Sequence, residues 1–171
     1  MFSLNKYGKD KKKYCIQNNK IIFRGAKIAY SALLAYERAK GKIILFSSFT
    51  STSERKKSAE NFARRENAKM MYEVNLKYSV VYYITNIQNS NWVSNGVIIK
   101  EIAKFKYEEE VLFQPFSFYL VSDVIINDKD STADIYLETI GKTEILEEKI
   151  KLGEEIEYNP ELKIMQIKKE K

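Results

Sequence analysis

A change in the spacing of apolar residues near position 70 is the feature that most constrains the fold of this chain. Before it, residues 29–40 are rich in alanine and leucine and are followed by Gly41, which predicts a helix that ends at a glycine. After it, apolar and polar residues alternate over 70–76, and further runs typical of strands follow. A chain with helices early and strands late is predicted to be α+β.

Apolar and β-branched runs between turn residues mark the other predicted strands. The first is expected to close into a turn at Arg24 and Gly25, and the polar segment 50–53 is expected to lead into a second helix, in which Ala59, Phe62 and Ala63 share one face. The predicted strands are 20–23, 43–49, 80–85, 97–103, 110–113, 116–126, 134–140 and 162–167.

Length and composition favour one domain and exclude several kinds of catalytic site. The 171 residues are 44% hydrophobic, which suits a single domain over 1–171. The chain has no histidine and one cysteine, Cys15, so it can form neither an internal disulfide nor a His or Cys metal site. Ser-His and Cys-His nucleophiles are excluded as well. Any catalysis must use carboxylates, hydroxyls, Lys, Arg, Tyr and the backbone, and no metal is expected.

The net charge of +6 does not by itself predict a nucleic-acid partner. The basic clusters at 1–13, 55–57 and 168–171 are not interleaved with aromatic residues, so they are interpreted as solvated surface or as sites that attract acidic groups. Neither a signal peptide nor a membrane span is recognisable. We expect a monomer without a membrane partner, located in the cytoplasm or exported as an effector without a cleaved signal.

Three short motifs carry the candidate chemistry: FRG at 23–25, FTSTS at 49–53 and EEEVLF at 108–113. Taken singly, they are typical of a surface charge, a helix cap and a solvated face. If 108–113 is extended, however, Glu108 and Glu110 lie on one face, roughly 7 Å apart. Two carboxylates at the start of an apolar strand suggest a site for a cation or a cationic transition state. Cleavage of a glycosidic bond builds such a charge on the sugar.

Together and in this order, the motifs resemble the Arg-Ser-Glu class of mono-ADP-ribosyltransferases, which contains the clostridial binary toxins and the vertebrate ecto-enzymes. The resemblance covers about residues 20–126 and continues through EEEVLFQPFSFYLV. It implies two packed antiparallel sheets flanked by helices, with a cleft for the substrate NAD between them. Residues 127–171 are expected to complete the sheets or to form a small C-terminal addition.

The resemblance also implies a role for each matching residue. Arg24 would hold the phosphate and ribose of NAD, and Gly25 would present its backbone to the nicotinamide carboxamide. Ser51 would orient Glu110, the catalytic glutamate, while Thr52 and Ser53 shape the strand end and cap the helix. Glu108 would bind the acceptor and take up its proton.

A glutamate at position 108 is what the family pattern associates with arginine as acceptor, because a guanidinium is protonated at ordinary pH. Residues 104–107 would form the turn that recognises the target protein, through Phe105 or Tyr107, unless these side chains only cover the sheet.

Phe62 and Arg65 lie eleven and fourteen residues after Ser51, where some toxin members place an aromatic residue and an arginine against nicotinamide and phosphate. Phe62 is therefore a candidate NAD-binding residue, although its helical spacing favours a place in the core.

The sequence leaves two alternatives to arginine modification: an NAD glycohydrolase, in which water replaces the protein acceptor, and an inactive binding module with the same fold. Glu108 argues against the first as the sole activity, and the presence of Arg24, Ser51 and Glu110 argues against the second. Only 23 residues precede Arg24, whereas many family members carry a helical segment there. The chain is either a minimal catalytic core or part of a longer protein.

Overall fold

A computed structural model describes residues 14–64, 77–87 and 96–140, together with the backbone of two strands at 156–159 and 164–167. The predictions that concern residues 70–76, Arg65 and the N-terminal lysines fall outside these residues.

Within the described residues there are two α-helices and ten strands, and both helices precede most of the strands, which confirms the α+β class. In chain order they are β1 (Ile21–Ala29), α1 (Tyr30–Arg38), β2 (Ile43–Phe46), β3 (Thr50–Ser53), α2 (Lys56–Arg64), β4 (Lys77–Thr85), β5 (Gly96–Ile98), β6 (Glu110–Phe113), β7 (Ser117–Asn127), β8 (Thr132–Ile140), β9 (Ile156–Asn159) and β10 (Ile164–Ile167).

The strands form two antiparallel groups that share one hydrogen-bonded order. The first group is β5-β6-β3-β1-β4 and the second is β8-β7-β2-β10-β9. A single parallel pairing, between β4 and β8, joins them. The two groups also pack against each other, since Phe46 of β2 contacts Tyr82 of β4 and Phe113 of β6 contacts Tyr119 of β7, with ring centroids 6.5 and 5.9 Å apart.

The core between the two groups comes from the alternating faces of the long strands. Val80, Tyr82 and Ile84 of β4 are buried, and so are Ile135 and Leu137 of β8. This period of two is what one covered face of a sheet requires. Helix α1 closes one side of the core with Leu33, Ala35 and Tyr36.

Several predicted boundaries were wrong, and the structure shows why. Arg24 and Gly25 do not form a turn, because β1 pairs with β4 along all nine of its residues and with β3 on its other edge. The polar segment 50–53, expected to lead into a helix, forms a separate strand, β3, which pairs with β6. The strand predicted at 43–49 ends at Phe46.

Two further differences concern the later strands. The strand predicted at 97–103 is only Gly96–Ile98, since the chain turns at 100–104. Strand β9 was not predicted, because its sequence lies in a charged stretch and only its pairing with β10 makes it extended. In the described part of the chain, no helix is long and apolar enough to cross a membrane.

Candidate functional site

The serine and the glutamate of the two polar motifs meet where β3 and β6 run side by side. Ser53 lies opposite Glu110 in the register, and Ser51 is two residues further along the same face of β3. The long side chain of Glu110 spans this diagonal, and Ser51 Oγ donates a hydrogen bond of 2.7 Å to Glu110 Oε1. Thr50 and Thr52, which alternate with Ser51 and Ser53 along β3, are buried, whereas Ser51 is exposed. The pairing therefore fixes one carboxylate oxygen of Glu110.

Arg24 approaches the same point from the neighbouring strand β1. Its Nη1 atom donates a hydrogen bond of 2.8 Å to the backbone oxygen of Ser51. Because β1 pairs with β3, the arginine crosses from one strand to the next, and its half-buried side chain keeps a positive charge beside Ser51. Arg24, Ser51 and Glu110 thus form one chain of hydrogen bonds.

Buried tyrosines surround Arg24 on the side of the core. Tyr82 is its direct neighbour across β4, and the Tyr36 ring stands edge-on to Tyr82 with centroids 5.6 Å apart. Burial raises the pKa of Tyr36 and of Tyr82, while the positive charge of Arg24 lowers both slightly. The positive charge of Arg24 therefore lies on the side of the site that faces these buried tyrosines.

Glu108 does not lie on strand β6, which corrects the prediction that Glu108 and Glu110 share a strand face. It ends a 3-10 turn, Lys106–Glu108, and Glu109 follows in a left-handed conformation with φ of 46°. The strand begins only at Glu110. The two carboxylates are consequently carried by different elements, one on a turn and one on a strand.

Ser53 joins this turn to the start of helix α2. Its Oγ atom donates a hydrogen bond to the backbone oxygen of Glu108 and accepts one of 2.9 Å from the backbone nitrogen of Arg55. The bond from Arg55 turns the chain just before α2, which begins at Lys56, so Ser53 shapes the end of the strand but, within the described residues, binds no backbone N–H of the helix itself. Thr52 acts differently, since its buried hydroxyl donates to the backbone oxygen of Val111 and ties β3 to β6.

A cleft of about 200 Å³ opens above these residues, between β1, β3, α2 and the turn. Arg24, Gly25, Ser51, Phe62 and Glu108 all line it, and Glu110 reaches it through its bond to Ser51. The structure thus brings all six residues that the sequence singled out to one place. The remaining lining residues are Phe23, Thr52, Ser53, Arg55, Lys57, Ser58, Ala59, Asn61 and Tyr107.

Gly25 is dictated by helix packing as well as by its position in the cleft. A Cβ atom at this position would lie 1.8 Å from the backbone oxygen of Ala59 and 2.8 Å from the backbone nitrogen of Ala63. Helix α2 therefore rests directly on the backbone of β1, which is a close approach that only glycine allows. The sequence pattern predicted a close approach here but suggested nicotinamide as its cause.

The expectation that Phe62 belongs to the core was wrong, because 59% of its side chain is exposed. The face of α2 that meets β1 consists of Ala59 and Ala63, which are four residues apart and buried. A helix seated this closely on Gly25 has no room for a phenyl ring on that face. Phe62 projects instead into the lining of the cleft, as the family pattern implied.

The sequence interpretation missed the cleft residues at the start of α2. Lys57 and Asn61 are one turn of the helix apart, and so are Ser58 and Phe62, and all four line the cleft. The spacing of these polar residues beside the alanine face was the available signal for a second functional face of α2. It was not decisive, because the polar face of a helix usually contacts only solvent.

Two antiparallel strand groups, with an arginine, a serine and a glutamate hydrogen-bonded at one cleft, define the ADP-ribosyltransferase class. A family model described as NAD:arginine ADP-ribosyltransferase matches residues 3–144, which is more than half of the 171 residues. The chain belongs to this family. A comparison with curated protein sequences finds no significant match.

Solved structures of bacterial ADP-ribosyltransferases share the fold. The Vis toxin of Vibrio splendidus superposes with a TM-score of 0.58 at 21% identity, over 76% of this chain and 51% of Vis. HopU1 of Pseudomonas syringae pv. Tomato DC3000 gives 0.55 at 14% identity, over 75% and 48%. An ADP-ribosyltransferase from Clostridium botulinum gives 0.52 at 17% identity, over 75% and 63%. This chain spans about half the length of Vis and HopU1.

Proposed function

We propose that this chain is a mono-ADP-ribosyltransferase that transfers ADP-ribose from NAD to an arginine side chain and releases nicotinamide. The observation that carries the proposal is the 2.7 Å hydrogen bond from Ser51 Oγ to Glu110 Oε1, with Arg24 bound to the backbone of the same serine. A fixed carboxylate beside a fixed cation suits a substrate that carries phosphates and develops positive charge on its sugar.

The lining of the cleft fits one part of NAD. Its volume of about 200 Å³ is smaller than the roughly 300–1,000 Å³ of pockets that enclose drug-sized ligands, so we expect it to hold the nicotinamide and the adjoining ribose. Arg24 and Lys57 supply positive charge for the diphosphate, and the exposed ring of Phe62 offers a flat apolar surface to the nicotinamide. NAD supplies the ADP-ribosyl group and, in nicotinamide, the leaving group.

Glu110 is placed to act through its charge. Because Ser51 holds one of its oxygens, the carboxylate does not have to reorganise when positive charge develops on the ribose. Ser51 donates its hydrogen to Glu110, and in this proposal it orients the carboxylate and does not attack the substrate. No histidine is available in the chain to activate it.

Glu108 supports arginine as the acceptor. It lines the cleft, half-buried, from the turn next to β6. A carboxylate there can bind a guanidinium and take up its proton as the nitrogen attacks. Vis, whose fold this chain shares, has a structure in complex with agmatine, with a TM-score of 0.56 and 20% identity over 74% of this chain and 52% of Vis. Agmatine carries a guanidinium, so it is a suitable test acceptor.

The two glutamates should respond differently to substitution, because the proposal gives them different roles. Glu110→Gln should reduce nicotinamide release and acceptor modification together, by roughly 10²- to 10³-fold, as expected when one preorganised electrostatic group is removed. Glu108→Gln should suppress the modification of agmatine while most of the hydrolysis of NAD continues. The measurement is free nicotinamide and ADP-ribosylated agmatine, followed in parallel with labelled NAD.

Glu109→Gln is the matched control. Glu109 is on the same turn, half-buried, but is not part of the cleft lining, so both activities should stay near those of the parent. If Glu108→Gln modifies agmatine as well as the parent does, the arginine assignment is wrong. A parent that hydrolyses NAD but modifies neither agmatine nor arginine-rich proteins is an NAD glycohydrolase, and one without either activity is a binding module.

A further inference from the structure

The turn that carries Glu108 is held by three consecutive residues at the junction between β3 and α2. Ser53 Oγ donates to the backbone oxygen of Glu108, and the backbone nitrogen of Glu54 donates to the oxygen of Glu109 at 3.1 Å. Arg55 Nη1 donates to the oxygen of Tyr107 at 3.0 Å. Three neighbouring carbonyl groups of the turn are thus bound by the sequence Ser-Glu-Arg.

The turn has little structure of its own, so these bonds determine where it lies. It consists of a single 3-10 turn, and Glu109 adopts a left-handed conformation that costs free energy for any residue with a side chain. Such a conformation persists only where the surrounding structure holds it. Its exposed aromatic residues, Phe105 and Tyr107, contact each other, with ring centroids 5.7 Å apart.

Arg55 differs from its two neighbours because it holds the turn from within the cleft. Ser53 is buried beneath the turn, and Glu54 binds it through the backbone alone. Arg55 is exposed, lines the cleft and reaches Tyr107 with a charged side chain. A planar guanidinium has five N–H donors, so one contact to a carbonyl leaves others that can face the cleft.

We propose that Arg55 is a positioning residue for Glu108: it fixes the turn against the cleft, and so decides whether the ADP-ribosyl group passes to a guanidinium acceptor or to water. This inference rests on the proposed function. Glu110 is held by the pairing of β6 with β3 and by its bond to Ser51, so the cleavage of NAD does not depend on this tie. Capture of the acceptor does, because Glu108 must stand at a defined place to bind a guanidinium.

The experiment compares Arg55→Met with the parent, using agmatine as acceptor. Methionine keeps an unbranched apolar stem and removes the donor. The ratio of agmatine modification to NAD hydrolysis should fall by roughly tenfold, which corresponds to the loss of one charge-assisted hydrogen bond. Arg55→Lys should restore part of the ratio, since an ammonium can donate to a single carbonyl group.

Lys57→Met is the control for charge. Lys57 lines the same cleft and, among the described residues, makes no hydrogen bond to the turn. The variant removes one positive charge from the cleft, so its KM for NAD can change, but its ratio of transfer to hydrolysis should equal that of the parent. Thermal unfolding of each variant shows whether it is folded. If Arg55→Met is not folded, the same measurements are made on Arg55→Lys.

Trypsin reports the position of the turn independently of activity. Trypsin can cleave after Lys106, the first residue of the turn, and after Lys104, two residues before it, and both are exposed. Mass spectrometry can follow cleavage after each of them. Arg55→Met should be cut there several times faster than the parent, and Lys57→Met at the rate of the parent. The proposal is overturned if Arg55→Met retains either the parental ratio or the parental cleavage rate. If the parent releases no nicotinamide, the proposed function fails, and the cleavage rates still decide whether Arg55 holds the turn.

Discussion

At the scale of single residues, two glycines show how different causes can require the same residue. Gly41 follows helix α1 with φ of 74°, and no atom would contact a Cβ there, so its backbone conformation requires a glycine. Gly25 has no such conformation, but a Cβ would collide with the backbone of α2. One glycine serves a turn, and the other allows a helix to rest on a strand.

Alanine should therefore have different consequences at the two positions. Gly41→Ala should lower the free energy of unfolding by about 1 kcal/mol, the usual cost of a left-handed residue with a side chain, and leave NAD hydrolysis unchanged. Gly25→Ala should lower it by roughly 1–3 kcal/mol or more and also raise the KM for NAD, because α2 must move and α2 lines the cleft. Urea unfolding and steady-state kinetics measure both effects. A Gly25→Ala variant with parental kinetics would mean that the helix does not rest on this residue.

At the scale of elements, a tyrosine at the start of β4 ties three segments together. Tyr78 Oη donates a hydrogen bond of 2.6 Å to Asp128 Oδ1 in the turn between β7 and β8, and its ring stacks on Tyr30, the first residue of α1, at 5.4 Å. The parallel pairing of β4 with β8 begins beside it, at Ser79 and Thr132. The contact therefore lies where the two strand groups are joined.

Because of the bond between Tyr78 and Asp128, the free energy of unfolding should decrease at alkaline pH. This bond is the largest of the effects that raise the pKa of Tyr78 from 10.0 to about 12. A pKa that is higher in the folded state means stability that is fully present below pH 10 and is lost as the pH rises toward 12. Between these values the melting temperature of the parent should fall more steeply than that of Tyr78→Phe. If the melting temperatures of the parent and of Tyr78→Phe fall equally between pH 10 and 12, the assignment is contradicted. Asp128→Asn should fall as gently as Tyr78→Phe, because it removes the same bond.

At the scale of the whole molecule, the two strand groups have separate tasks. Among the residues that the structure describes, those that line the cleft belong to β1, β3, α2, the β3–α2 junction or the turn before β6, on the side of the first group. The second group contributes the opposite half of the core through residues such as Phe46, Tyr119 and Leu137. It supports the site from the core side. Tyr119 packs against Phe46, and Phe46 packs against Tyr82, the neighbour of Arg24.

Binding of NAD should consequently stabilise the entire fold, without an added metal ion. At a concentration one hundred times its dissociation constant, a ligand that binds only the folded state adds about 2.7 kcal/mol. The increase in melting temperature should persist in excess chelator and should be largely lost in Arg24→Lys, whose ammonium cannot reproduce the planar fork. An increase that appears only when divalent cations are added would refute binding without metal. If NAD raises the melting temperature of Arg24→Lys as much as that of the parent, Arg24 does not bind NAD.

The sequence by itself determined the α+β class and singled out the six candidate residues that the structure brings to the cleft, because both rest on residue types and local spacing. The runs rich in β-branched and aromatic residues at 80–85 and 134–140 predict strands, and the motifs around Arg24, Ser51 and Glu110 carry their chemistry in their residue types. What it could not determine depends on contacts between segments far apart in the chain.

Only the tertiary structure decided how those residues are arranged. Arg24 and Gly25 lie inside a strand because β3 and β4 pair with both edges of β1. Glu108 lies on a turn whose backbone oxygens at 107–109 accept hydrogen bonds from residues 53–55. Phe62 faces the cleft because Gly25 admits the helix so closely that only alanines fit beneath it. In each case the segment that decides the arrangement lies tens of residues away in the sequence, so the local spacing of apolar residues cannot predict it.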